Sequence, residues 1–244
     1  MLKCRLKYLY DTVDHFVLVE ATRTHAGNPK SLYFQDNKHL FEPYLDKIVH
    51  VVVDDMPMPR KRMLWQGKDN TDYHILRENH QRICIARGIQ QLSLSNDDLI
   101  LISDLDEIPN KDILRNELPS DVCKLSQEFY YYNFTCKNKQ LWTQARILKY
   151  SAYIKTQNCQ NIRMLQNLHI IKNGGWHLSY FGDADFIANK LRNFCHKEFS
   201  GEQFTNKLSI QEKIDNGLDL FDHQSTNDEW VRVEVDCPIS PFFE

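Results

Sequence analysis

Asp104, Asp106 and Glu107 place three carboxylates within four residues of the stretch Ser103-Asp104-Leu105-Asp106-Glu107-Ile108-Pro109. Charges that close repel one another and lose hydration on burial, so something positive must compensate them. Carboxylate oxygens in an Asp-x-Asp spacing suit Mg²⁺ or Mn²⁺, and such an ion in turn grips a diphosphate. A plainer alternative is a helix N-terminus, where the macrodipole favours acidic residues. Leu99 to Ile102, directly ahead, are all apolar, the pattern of a strand covered on both faces. Pro109 behind is expected to stop any continuation. Ligands of open α/β sheets sit at the carboxyl ends of strands, where this pattern puts the acids.

A second stretch is Asn173-Gly174-Gly175-Trp176-His177. Paired glycines allow backbone geometry or close approach that side chains would block. Gly175 and Trp176 are candidate acceptor-binding residues, the indole offering a face to a sugar ring. His177 offers a nitrogen ligand to a metal held by Asp104 and Asp106. The alternative is a tight turn with Trp176 in the core. Glu78 and Arg82, four residues apart, can pair on a helix, or Arg82 can orient an Asp or meet a phosphate. Asp183 and Asp185 are candidate general bases, Asp185 preferred, with Glu107 and Glu128 behind them. Capping of the helix that follows accounts equally for at least one of that pair. His196 and Glu198 either reach a cleft or sit solvated at a helix end.

Other chemistries are poorly represented. No GxSxG, P-loop or GxGxxG is present. A haloacid-dehalogenase-type phosphatase also starts with a strand and DxD, but expects Thr or Val two residues after the second Asp, where Ile108 stands here. The balance of 30 Lys+Arg to 33 Asp+Glu in 244 residues argues against a polybasic nucleic-acid or membrane surface. No transmembrane stretch or signal peptide is visible. Seven dispersed cysteines read as reduced, mostly buried thiols in a reducing compartment, so a cytoplasmic location is expected. The sequon Asn133-Phe134-Thr135 is then taken as chance.

The elements that must position these residues follow from the pattern. Helices are expected over 3–10, 36–45, 72–92, 184–194 and 204–216, and strands over 15–21, 48–53 and 99–102. A loop rich in Pro, Arg and Lys spans 56–71 and is expected to be mobile. Beyond it come an aromatic strand within 122–136, an antiparallel partner over 141–150, a short strand at 168–171 and an extended tail from Cys237. FYYYNF is expected to serve as sheet core with alternate rings exposed. Alternation of strand and helix in the first half implies one α/β domain over 1–244, its central sheet mainly parallel with a few antiparallel strands in the C-terminal half.

The blocks LYDTVDHFVLVEA, THAGNPKSLYF, KIVHVVVDDMP, ENHQR, LISDLDEIP, FYYYNF, NGGWHLSYFG and HKEF, in that order, resemble the bisecting N-acetylglucosaminyltransferase family, glycosyltransferase family seventeen. The likeness covers nearly the whole chain. It implies a GT-A-type fold, a divalent metal (Mn²⁺ or Mg²⁺), UDP-GlcNAc as donor, a glycan acceptor and inversion at the anomeric carbon. Carried over by residue, Asp104 and Asp106 match the family's DxD pair, with Asp106 on the metal and Asp104 on ribose or metal-bound water. Glu107 matches the acidic neighbour, Glu20 and Lys30 fall in blocks lining the donor side, and Glu78 and Arg82 match the helix block. Members carry a further strand ahead of the first helix, ending near the nucleotide base, whereas here Met1 stands where that helix begins. The resemblance therefore implies either a truncated chain or an incomplete pocket for the base. The alternatives carried beside the transferase are a non-catalytic nucleotide-sugar or glycan binder and a DxD metal-dependent phosphohydrolase.

Overall fold

A computed structural model describes residues 1–59, 71–221 and 229–243. Most of the Pro-, Arg- and Lys-rich loop, whose mobility was expected, lies outside them. Helix α1 (Leu2–Leu9) buries Cys4, Leu6, Tyr8 and Leu9 along one side. Strand β1 (Phe16–Ala21) leads through α2 (Tyr33–Asp36) to β2 (Ile48–Val53), and the two strands pair in parallel with Phe16 opposite Ile48. The single helix expected over 36–45 is instead α2 followed by a 3₁₀ segment, Lys38–Lys47. Pro43 within it lacks the N–H that an α-helix would use. The long helix expected over 72–92 is broken at Cys84 into α3 (Tyr73–Ile83) and α4 (Ile85–Ile89). Asp72 caps α3 by accepting from the amides of His74 and Ile75. A Cβ on Gly88 would sit 2.3 Å from a Val17 methyl, so this glycine lets α4 lie close on β1.

The chain then continues through β3 (Leu99–Ile102), β4 (Glu107–Pro109), β5 (Val122–Tyr131), β6 (Cys136–Asn138) and β7 (Arg146–Lys149). Helices α5 (Tyr150–Tyr153) and α6 (Cys159–Met164) precede the long β8 (His169–Ser179), which merges the short strand expected at 168–171 with the Asn173–His177 stretch. Helices α7 (Ala184–Asn193), α8 (Glu202–Thr205) and α9 (Lys207–Asn216) and strand β9 (Trp230–Arg232) complete the fold.

These seven strands form a second sheet in the order β3-β7-β5-β6-β9, with β8 beside β5 and β4 on β8. Its pairings are antiparallel except for β5 with β8. The protein is mixed α/β, but the mainly parallel central sheet is corrected. The parallel pairs are β1 with β2 and β5 with β8, whereas β7 returns beside β3 and β5 in the opposite sense. Pro109 does not end the acidic stretch as a stop. It closes β4 opposite Gly175, and the next amide, Asn110, donates to the Gly174 carbonyl.

Packing explains two further departures. Tyr130, Tyr131 and Tyr132 are all buried, so alternate rings of FYYYNF are not exposed. Tyr130 packs with α1, Ile108, Trp176 and Leu178, while Tyr131 and Tyr132 pack with α7 and α9 around Ile187, Leu191 and Ile210. The tail is drawn into the first of these clusters through Cys237 and Ile239, with a 3₁₀ turn at Ser240–Phe242. All seven cysteines are free and buried. Among the described residues no helix is long and apolar enough to cross a membrane.

The two sheets do not join. Among the described residues β1 pairs only with β2, and β3 only with β7. A cavity of about 910 Å³ lies between them, lined by Phe16–Val19 and Leu99–Ile102 and, at one end, by His25, Glu78, Gln81, Arg82, Ser103 and Asp104. β1 and β3 run the same way. Gln81 donates to the Val19 carbonyl near the end of β1, and its neighbour Arg82 binds Asp104 just past β3.

Candidate functional site

The acidic turn after β3 is compensated chiefly by arginines. Arg82, projecting from α3, grips Asp104 with Nε to Oδ1 at 3.1 Å and a terminal nitrogen to Oδ2 at 2.8 Å. It also donates to Glu78 at 2.9 Å and to Gln160 at 3.3 Å. The expected i,i+4 pair is thus present, and Arg82 does orient an Asp. Arg163, from α6, reaches Asp104 Oδ2 at 3.0 Å and both oxygens of Glu107 at 2.6 and 2.8 Å. Burial opposes the Asp104 charge, but Arg163 and then Arg82 outweigh it and hold the carboxyl down at about 2.

Glu107 is fully buried. Besides Arg163 it accepts from the Trp142 indole at 2.5 Å and from the Asp104 amide at 2.8 Å. Both oxygens accept hydrogen bonds from neighbouring groups, an arrangement that braces the turn rather than one poised to take a proton. Arg5 of α1 completes the brace, donating to the carbonyls of Asp104 and Glu107 and to the Ser103 hydroxyl. Behind these, wholly buried Arg146 donates to the carbonyls of Arg163 and Leu165, and burial pushes its guanidinium down to about 10.

Asp106 is different. Its carboxylate meets Lys190 of α7 at 3.3 Å and lies 3.8 Å from His177 Nε2. The His177 ring is stacked between Phe129 and Trp142, with centroids at 4.7 and 4.2 Å. Burial holds the imidazole below its ordinary pKa, the nearby carboxylates of Asp106 and Glu107 opposing, so the ring is neutral near pH 7. Its buried Nδ1 has no hydrogen-bond partner among the described residues. Asp106, His177 and Lys190 are not among the residues lining the large cavity, which reaches the turn on the Asp104 side.

These contacts decide which residues fit a divalent ion. A carboxylate oxygen and an imidazole nitrogen 3.8 Å apart can share one ion at about 2.1 Å from each, its other positions left to water and diphosphate. Asp106 and His177 therefore fit. Asp104 does not fit as a direct ligand, because both its oxygens are held by guanidinium groups. The geometry therefore favours Asp106 over Asp104 for direct contact with an ion.

The remaining candidates fall elsewhere. Glu20 accepts from the amides of Phe34 and Gln35 at the start of α2, with His50 at 3.4 Å and Lys30 at 3.9 Å. Neither Glu20 nor Lys30 lines the cavity. Trp176 is 5% exposed and edge-on to Tyr8, a core residue without a free face for an acceptor. Gly175 has φ +128°, and a Cβ there would lie 2.1 Å from the Ile108 carbonyl oxygen. It serves the close approach of β8 to β4 rather than an acceptor. Asp183 caps α7 by accepting from the Phe186 amide, as the plainer reading had it. Asp185 is exposed and paired with Lys207 of α9. Glu128 pairs with Lys137 and accepts from Tyr130, and adjacent Phe129 puts its ring on His177, so Glu128 points to the other face of β5. His196 pairs with exposed Glu198, outside the acidic turn.

The sequence reading missed Arg5, Arg163, Lys190 and Trp142. Three lie far along the chain without a motif. The demand for positive compensation did signal that such partners must exist.

Comparison with known proteins is consistent with the geometry. The human beta-1,4-mannosyl-glycoprotein 4-beta-N-acetylglucosaminyltransferase (Homo sapiens) is 30% identical over 115 residues, which cover 46% of this chain and 20% of that protein. The rat (Rattus norvegicus) and mouse (Mus musculus) proteins of the same name match over the same length at 30% and 29%. The matched stretch thus spans about a fifth of those relatives, and no solved structure matches. A family model described as glycosyltransferase family 17 matches residues 1–230, nearly the entire chain, and to that family the chain belongs.

Proposed function

We propose that the chain moves a sugar from a nucleoside diphosphate donor to a glycan hydroxyl, with inversion at the anomeric carbon, UDP-GlcNAc as donor and Mn²⁺ or Mg²⁺ as cofactor. The observation that carries this reading is the contrast at the acidic turn: Asp104 is held by two arginines, whereas the side-chain partners of Asp106 among the described residues are Lys190 and a neutral His177. GlcNAc is favoured because the relatives' printed name is an N-acetylglucosaminyltransferase.

Asp106 would hold the ion with His177 as second ligand. When bound, the ion supplies Lewis-acid neutralisation of the charge that builds on the departing diphosphate. The chain's own residues prepare that event. Arg163, Glu107 and Arg5 fix the turn, and the Asp106 carbonyl accepts from the Leu178 amide, which ties the turn to β8 beside His177. Lys190 offers a second positive charge that could pass from Asp106 to a phosphate oxygen. A phosphohydrolase would need a free carboxylate nucleophile at Asp104, and the two arginines there disfavour it.

Calorimetry with UDP, with and without Mn²⁺, followed by slow donor hydrolysis, tests the proposal. UDP is expected to bind at least tenfold tighter with Mn²⁺, and Asp106→Asn to remove that gain. Equal affinity with and without the ion would overturn the metal-dependent reading. Ion-dependent binding without hydrolysis or transfer would favour the non-catalytic binder.

A further inference from the structure

Away from the acidic turn, Asp55, His80 and Cys84 bring a carboxylate oxygen, an imidazole nitrogen and a thiol sulfur within 4.8 Å of one another. The elements dictate this meeting. His80 and Cys84 are one turn apart at the C-terminal end of α3, so both project from the same side. Asp55 stands just beyond β2, with its carboxylate 3.4 Å from His80 Nε2. We propose that Asp55, His80 and Cys84 form a metal site for a divalent ion of the zinc class, which staples the end of β2 to the junction of α3 and α4.

The donor set argues for that class. Thiolate with imidazole selects Zn²⁺ over Mg²⁺ or Mn²⁺, and three protein ligands leave a fourth position for water. The site thus differs in chemistry from the oxygen-rich Asp106 centre, and the proposal does not depend on the transferase reading. The partial negative charge at the C-terminal end of α3 favours a cation there. Access is open on the Asp55 side, about half exposed, while Cys84 forms a buried floor.

One resident group must yield. Arg87 holds Asp55 with nitrogen–oxygen distances of 2.6 and 3.0 Å, and its side chain is 41% exposed. An exposed ion pair of this kind is worth little, so a dication competes with it readily. On binding, the Cys84 thiol gives its proton to water, the sulfur lone pair bonds the metal, and the Arg87 guanidinium swings into solvent. The ligand charges of Asp55 and Cys84 then balance the ion.

Co²⁺ titration of the full chain under reducing conditions provides the test. One equivalent is expected to give a thiolate-to-cobalt charge-transfer band together with tetrahedral d–d bands, displaced by Zn²⁺. Cys84→Ser should abolish the charge-transfer band. Should that variant fail to fold, two exposed positions serve. Asp55→Asn is expected to weaken binding about tenfold, and Arg87→Gln to tighten it by a similar factor, the range in which neighbours tune metal sites. The absence of a charge-transfer band overturns the proposal. So does a band that survives Cys84→Ser, which would assign it to another cysteine, and so does Arg87→Gln without any gain in affinity.

Discussion

Asp104 and Asp106 stand two residues apart and occupy opposite electrostatic settings. Asp104 and buried Glu107 share Arg163 in a network that Arg82 closes on the Asp104 side, and Arg5 ties down the backbone between them. Among the described residues, Asp106 pairs with Lys190 and lies beside a neutral imidazole. The comparison teaches that an Asp-x-Asp stretch need not act as a unit. One carboxylate stabilises the turn, and the other is what that turn presents.

Breaking the closed side should give the largest effect. Arg163→Ala leaves fully buried Glu107 without its cation, a loss of about 3–5 kcal/mol for one partner of a buried pair. Urea unfolding should record it. Adding Glu107→Gln to Arg163→Ala should recover part of that loss. A double variant no more stable than the single would show that the pair is not the cause.

Gly175 tests the same side through the backbone. Its φ of +128° and the 2.1 Å approach of a Cβ to the Ile108 carbonyl mean that Gly175→Ala must strain β8 or lift β4, and Glu107 lies on β4. Thermal unfolding should show a loss of about 1–3 kcal/mol from the backbone conformation alone. A variant as stable as the parent would mean that β4 and β8 can part without disturbing the network.

The Asp106 side should respond the other way. Asp106→Asn removes a partly exposed pair with Lys190, worth about 0–1 kcal/mol, while abolishing the Mn²⁺-dependent gain in UDP affinity. Asp104→Asn should cost more stability than Asp106→Asn, since it strips two arginines of a partner. Equal losses in both unfolding and ion dependence would erase the distinction between the two aspartates.

How far this division was legible in the sequence follows from what each residue needs. The apolar run at 99–102 and the acids behind it marked the turn, because strand burial and charge crowding are local properties. The i,i+4 pairing of Glu78 with Arg82 was legible for the same reason. Arg163 was not. Its partners lie 56 and 59 residues away, and nothing near it in the chain betrays them. The parallel pairing of β1 with β2 fits the strand–helix alternation, but the antiparallel return of β7 to β3 depends on which edge a later strand chooses. The role of Gly175 needed β4, a strand that the sequence pattern hid behind Pro109. Trp176 looked like a sugar platform because its type permits that. Only the packing of α1 on β8 decides that the ring is buried.

The smallest effect expected is a pH dependence at the polar end of the cavity. His25 there bonds Gln81 at 3.0 Å, and burial holds its pKa below the ordinary value, Gln81 and Glu78 opposing. The unfolded chain then protonates His25 first. Its contribution to stability is complete above about pH 6.5 and falls as the pH drops below that, by at most about 1.4 kcal/mol per pH unit. Asp104, held at about 2, keeps its charge throughout this window and contributes no slope until far stronger acid. His50 and His177 are also held low by burial, so the wild-type slope sums several groups and the informative quantity is a difference. Urea midpoints measured from pH 7 down to 5 should flatten in His25→Gln by about one proton's share. An unchanged slope would mean that His25 is solvated in the folded chain, and that the cavity end beside Arg82 and Asp104 is wetter than its lining implies.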